Sequence, residues 1–273
     1  MNYGFRQPNI KIEDQIFGAV ETGEILNESG QWDKWLPKYE AQAEFFETQG
    51  CTVWGSENCC EILHKFLFDE EPNYSERFTY ILAGINFAGG DPGNIAEIIR
   101  NKGLIDDYLL PMTETAEEFI KPDPMNELFL SYGKEWLNKY DFRHQWVLTG
   151  GETKEQKINA MKEALKYSPL GVACSSWFEG ENGVYFDNGQ KNNHWCTAFG
   201  YDDEKQAWKI FDSYDHSNKL YSYDSLISVA KRYSIEKRTA PVEAKWWFQE
   251  IGEELWWFAR DMVVVMVNYI KKI

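Results

Sequence analysis

ETQGCTVWGSENCCE, residues 47 to 61, places a cysteine directly after a glycine at the start of a helical pattern. Behind Cys51, Val53, Cys60, Leu63 and Leu67 recur at helical spacing. The spacing predicts a helix from about Cys51 to Phe68 with one buried face, ending before Glu71 and Pro72. A thiol at a helix N-terminus meets the positive end of the backbone dipole and unpaired N–H groups, which favour the thiolate. The same N–H groups can hold an oxyanion formed when that thiolate attacks a carbonyl. Cys51 is therefore the candidate nucleophile.

Such a nucleophile needs a base, and the base needs something to orient it. His64 lies inside the helix of Cys51 and points away along it, while His144 and His216 stand in polar stretches read as exposed. His194 opens the strand-like run HWCTAFGYD after an asparagine-rich loop. A tight turn at Asp202 and Asp203 joins it to AWKIFD, so the end of the second run returns beside the start of the first. That hairpin brings Asp212 near His194, where a carboxylate can fix the imidazole tautomer. Cys60 with His64, and His194 with Cys196, have the spacing of metal ligands, but no CxxC accompanies them, so no metal site is expected. Cys59, Cys60 and Cys174 read as small buried residues.

Around these runs the chain is helical first and β-rich second, an α+β pattern. Residues 1 to 31 have little periodicity and read as an arm. Gly89-Gly90-Asp91-Pro92-Gly93 is a turn leading to a short helix with Ile95, Ile98 and Ile99 on one side and Gly103 as its cap. Residues 105 to 148 read as loop with one or two short helices. Thr153 with Gln156 forms a capping box before Ile158, Met161 and Leu165. The strands LGVACSSWF, GVYFD, HWCTAFGYD and AWKIFDSY follow. From 241 to 273 an amphipathic helix is expected, with Trp247, Ile251, Leu255, Phe258, Met262, Val265 and Tyr269 on one stripe. Its uncharged run is too short to span a bilayer, so it docks on the body, self-associates through residues 245 to 270, or, less favoured, lies on a membrane surface.

A net charge of −16 argues against a nucleic-acid partner, which requires clustered Lys and Arg. Five irregularly spaced cysteines do not make the framework of a small secreted disulfide protein, which favours a reducing compartment. The first 18 residues lack a basic stretch followed by a long apolar run, so no signal peptide is read there.

In this order, the segments resemble a papain-like cysteine peptidase over about residues 32 to 225. DKWLPKYEAQ followed by GC is similar to the family's approach to its nucleophile. SERFTYILAGINFAGGDPGNIAEIIRNKGL resembles its SE, glycine-pair and short-helix stretch. YSPLGVACSSWF, ENGVYFDN and NHWCTAFGYD resemble three of its strands, and WKIFDSYD its WxIKNSWG segment with Asp212 in place of asparagine. His194 follows Cys51 by 143 residues, within the family's usual gap of about 130 to 150. The family's CGSCW is absent: QGCTVWGS has Trp54 three residues after the cysteine.

The resemblance implies a two-lobe fold, with a helical lobe at about 32 to 150 and a β lobe at about 151 to 240. It implies a Cys51–His194–Asp212 triad with Cys51 and His194 resting as a thiolate–imidazolium pair, and no cofactor. Gln42 is implied as the oxyanion donor, with Gln49 second because it would already be entering the helix. Gly89, Gly90 and Asn193 would bind a polypeptide substrate. Divergent members occur in tailed phages, which suggests a virion setting. The competing expectation is a catalytically silent module of a larger assembly, since function sits in sites and not in folds.

Overall fold

Helix α1 (Cys51–Phe68) starts and stops where the periodicity places it. Gly50 forms its N-terminal boundary, and the Gly50 N–H donates to the Thr48 hydroxyl at 3.1 Å. At the other end Asp69 turns left-handed at φ 55°, which a short polar side chain tolerates, and its N–H closes on the Lys65 carbonyl. The computed structural model describes residues 4–239, apart from 12–13, 20–22, 124–125, 176, 181, 188 and 216–217. His216, the expected helix at 241–273 and its self-association segment 245–270 lie outside the described residues.

The expectation of one buried face on α1 is corrected: residues 51–64 are buried on every side. The helix lies between two layers, so the face turned from the sheet is also covered. In front of it are α2 (Glu76–Leu82) and α3 (Pro92–Lys102). Asp91 caps α3 by accepting from the Gly93 N–H, Ile95 and Ile99 are buried, and Gly103 ends the helix at φ 76°. Next in the chain come α4 (Ala116–Phe119), α5 (Glu127–Lys139), strand β1 (Tyr140–Leu148) and α6 (Lys154–Leu165), whose Thr153–Gln156 capping box is present in both directions.

The remaining described strands are β2 (Leu170–Cys174), β3 (Phe178–Glu179), β4 (Val184–Phe186), β5 (His194–Asp202), β6 (Ala207–Phe211), β7 (Lys219–Ser222) and β8 (Ala230–Lys237). All join one sheet in the order β1-β8-β2-β5-β6-β7-β4-β3, antiparallel except where β4 runs beside β7. The reading of 105 to 148 as loop and short helices is therefore incomplete. Tyr140 and Phe142 are buried while Asp141 and Arg143 between and after them are not, the alternation of a strand, and the run from Gln145 to Leu148 is buried on both faces. β1 pairs along β8, so the sheet draws on chain before residue 150.

Two registers build the site. β2 against β5 sets Cys174 opposite His194 and Val172 opposite Cys196. β5 against β6 sets Thr197 opposite Phe211, which leaves Asp212, one residue past β6, beside the start of β5. α1 packs its first turns on β5, and Gly55 permits the approach: a Cβ there would stand 2.8 Å from the Trp195 ring.

Candidate active site

His194 and Asp212 meet as the hairpin predicts. His194 Nε2 lies 2.8 Å from Asp212 Oδ1, with both side chains buried. The second carboxylate oxygen accepts from Lys219 Nζ at 2.9 Å, and the same ammonium also reaches Asp215. Burial alone would push the Asp212 carboxyl up, but His194 and Lys219 together hold it below its usual value. Aromatic rings flank the imidazole, with Trp177 edge-on at 5.5 Å and Tyr214 tilted at 5.2 Å. Lys219 in turn stands 5.2 Å from the Trp177 centroid.

Cys51 sits at the first position of α1, and the backbone N–H of Trp195, the residue after His194, donates to its sulfur. The start of α1 thus meets β5 at the residue next to His194, and His194 meets Asp212. The expected resting ion pair is not supported. Cys51 is fully buried, and burial pushes its thiol well above the usual range, with the Cys174, Asp212 and Glu47 charges adding to the shift. The Trp195 N–H opposes it. A helix terminus contributes about 0.3–1 kcal/mol, too little to offset loss of all hydration around a thiolate.

The cover comes from the N-terminal arm. Phe5, Cys51, Trp146, Ala173, Trp195 and Val229 form one buried cluster, with Ile10 and Ile16 packed against it. The Phe5 ring stacks on Trp195 at 6.0 Å and 4°. Around Phe5 the Gly90 N–H donates to the Gly4 carbonyl at 2.7 Å, and the Arg6 N–H donates to the Gly90 carbonyl at 2.8 Å. Phe5 and Gly90 thereby form a parallel bridge. Farther along, the Trp146 N–H donates to the Gln15 carbonyl at 2.9 Å and the Phe17 N–H to the Trp146 carbonyl at 2.8 Å. Gly90 thus offers main-chain bonds to an extended strand, and the strand it holds is this chain's own. No side chain fits at Gly90, where a Cβ would lie 2.2 Å from the Thr52 hydroxyl. Gly89 precedes it at φ 80°.

Gln42 is buried, and its amide is engaged: Nε2 donates to the Tyr214 hydroxyl at 2.8 Å and to Glu47 at 3.2 Å, and Oε1 accepts from Ser213 at 2.7 Å. Ser213 and Tyr214 follow Asp212 directly, so Gln42 borders the site. Gln49 does not enter the helix; it stands before Gly50 at φ 53°, its N–H on Glu47. Asn193 donates its N–H to the Cys174 carbonyl at 3.0 Å, directly before His194.

The other described histidines are placed elsewhere. His64 is buried between the Tyr74 hydroxyl and Glu70, each at 3.0 Å. His144 is not exposed as expected: it lies on β1, 2.9 Å from both Glu97 and Lys231, where burial and the Lys231 charge hold it down to about 3. Cavities of about 710 and 640 Å³ lie beside β1, and neither is lined by Cys51 or His194. Sequence reasoning missed Lys219, Trp177 and Cys196 as neighbours of the His194–Asp212 pair. Tyr214 had a signal, since it aligns with the last tryptophan of WxIKNSWG.

No family model and no curated protein matches the sequence. Solved structures do match. Digestive procathepsin L 3 from the larval midgut of Tenebrio molitor is 13 % identical with a TM-score of 0.55, covering 81 % of this chain and 74 % of its own. The proform of the ragweed pollen allergen Amb a 11, a cysteine protease, is 13 % identical with a TM-score of 0.55, covering 79 % and 70 %. Bromelain from Ananas comosus, in complex with an inhibitor, is 16 % identical with a TM-score of 0.53, covering 76 % and 98 %. The chain therefore has the papain-like cysteine protease fold, an α+β architecture with helices in its N-terminal part and a β-sheet in its C-terminal part.

Proposed function

We propose that this chain is a cysteine peptidase acting on polypeptides through Cys51, His194 and Asp212. The observation that carries the reading is the His194–Asp212 pair at 2.8 Å, one residue from the Trp195 N–H that bonds Cys51 at the start of α1. With Nε2 facing Asp212, His194 exchanges its proton with Cys51 through Nδ1. The thiol gives its proton to His194, and the thiolate adds to the scissile carbonyl carbon. The Cys51 N–H and the Gln42 amide hold the oxyanion, with the amide exchanging its bond to Glu47 for the new one. His194 then protonates the leaving amine as the C–N bond breaks, leaving a thioester. Water, deprotonated by His194, splits the thioester to a carboxylic acid and restores the thiol. Lys219 and Asp212 keep the ring aligned throughout. While the arm is docked the thiol stays neutral, so the cycle begins with its withdrawal from Gly90. Gly89, Gly90 and Asn193 are then exposed to bind the substrate backbone.

A silent papain-like module of a larger assembly, such as a virion, is the alternative, and the complete burial of Cys51 favours it. Labelling with a thiol-reactive epoxide, followed by peptide mapping, separates the two. It is done on Phe5→Ala, which opens the cover, and on Phe5→Ala with His194→Ala. A single fast adduct at Cys51 that disappears without His194 supports the peptidase. Slow labelling spread over several cysteines, indifferent to His194, refutes it.

A further inference from the structure

Beneath the His194–Asp212 pair lie two thiols that the reaction does not use. Cys174 and Cys196 come from neighbouring strands, diagonal to each other across the β2–β5 register. Their sulfurs are 3.5 Å apart, and Cys196 Sγ is 3.8 Å from Asp212 Oδ1. A ring nitrogen of His194, Cys196 Sγ and an Asp212 oxygen all lie within 4.8 Å of one another. All four side chains are buried.

We propose that Cys174, Cys196, His194 and Asp212 form a site for a soft divalent cation of the Zn²⁺ class. Tetrahedral Zn²⁺ with bonds of about 2.0–2.3 Å spaces its ligands about 3.3–3.8 Å apart. The 3.5 and 3.8 Å separations already have that spacing and the 2.8 Å one must widen slightly; His194, Cys196 and Asp212 converge on one point, and Cys174, beside Cys196, moves in as the fourth ligand. Two thiolates, a carboxylate and a neutral imidazole are the ligand types zinc takes. With the dication they sum to one negative charge, and the Lys219 ammonium, 2.9 Å from Asp212 Oδ2, neutralises it inside the fold. Binding releases both thiol protons, while the imidazole proton facing Asp212 moves to Nδ1, so that His194 stays neutral. The cation occupies the imidazole nitrogen that Asp212 orients, so a loaded chain cannot move a proton at Cys51. That consequence rests on the peptidase reading; the site does not.

The test uses the reduced full chain, with Co²⁺ as optical probe and Zn²⁺ as competitor. Expected are one equivalent of Co²⁺, tetrahedral ligand-field bands with sulfur-to-cobalt charge transfer, and displacement by Zn²⁺. Cys174→Ala and Cys196→Ala should each lower the charge transfer and weaken binding by about tenfold or more, whereas Cys51→Ser should leave the spectrum in place. Asp212→Asn, which keeps the side-chain shape, should retain the charge transfer and bind more weakly. No charge transfer at stoichiometric Co²⁺ would overturn the site. So would a spectrum that is lost in Cys51→Ser yet kept in Cys174→Ala, since the cation would then sit on the nucleophile. Because the readout is optical, a chain that binds Co²⁺ and cleaves nothing refutes the peptidase reading alone, and an active chain that binds none refutes this site alone.

Discussion

Phe5→Ala should convert Cys51 from a protected thiol to a reactive one. Phe5 is 5 % exposed, shares one buried cluster with Cys51 and Trp195, and stacks on the Trp195 ring. Removing a buried phenylalanine costs about 3–5 kcal/mol, to which the lost ring pair contributes part. The arm is held besides this by two main-chain bonds at Gly90 and two at Trp146. The loss therefore falls on local docking of the arm and not on the whole fold. Taking about 3 kcal/mol, the undocked population rises roughly a hundredfold. The rate of Cys51 alkylation should rise by about the same factor while opening and closing outpace the reagent. Water then reaches the sulfur, so the thiol pKa should also fall toward its ordinary value. Iodoacetamide labelling followed by intact mass, with the adduct mapped, measures both quantities when repeated across pH. If Cys51 in the wild-type chain already reacts as fast as a free thiol, or if Phe5→Ala changes its rate less than about threefold, the arm is not the cover described here and the reasoning fails.

Lys219→Met should destabilise the chain by about 3 kcal/mol, because it strips a charged partner from the buried Asp212 carboxylate; urea unfolding of the single variant and of Lys219→Met with Asp212→Asn checks it, and a double variant no more stable than the single one would count against the pair. Glu57, 1 % exposed, is pushed up to about 8, first by burial, with the Glu40 and Asp107 charges adding to it. Its proton is kept in the fold and lost on unfolding above the ordinary carboxyl range, so it should lower stability by about 1.4 kcal/mol per pH unit between its two values. Glu57→Gln should flatten that slope in thermal melts from pH 5 to 8, and an unchanged slope would reject the assignment. Asp212 acts in the opposite sense, since its carboxyl is held low: the stability it lends is present at neutral pH and is lost as pH falls through its depressed value. Gln42→Ala should lower kcat by about 10²–10³ with little change in KM, and Gln49→Ala should leave both nearly unchanged; the reverse result would move the oxyanion role to Gln49.

The sequence alone determined the parts that depend on local periodicity and on connections of a few residues. α1 and its leading thiol follow from apolar spacing behind Gly50. The β5–β6 hairpin needs only a tight turn at Asp202 to bring Asp212 back to His194, so that pair was legible too. Caps at Thr153 and Gly103 are short-range hydrogen bonds, visible as residue types. β1 escaped because its alternation carries charged residues on the outward positions, and its partner β8 lies some 90 residues away in the chain. Tertiary structure decided the protonation of Cys51. The dipole of α1 is a local property and favours the thiolate, but hydration is set by whatever distant segment covers the sulfur, and here that is Phe5. It also decided that Cys174 meets Cys196 and that Lys219 meets Asp212. Those contacts come from strand register and burial, and a charge or a thiol in a sequence carries no mark of how far it will stand from water.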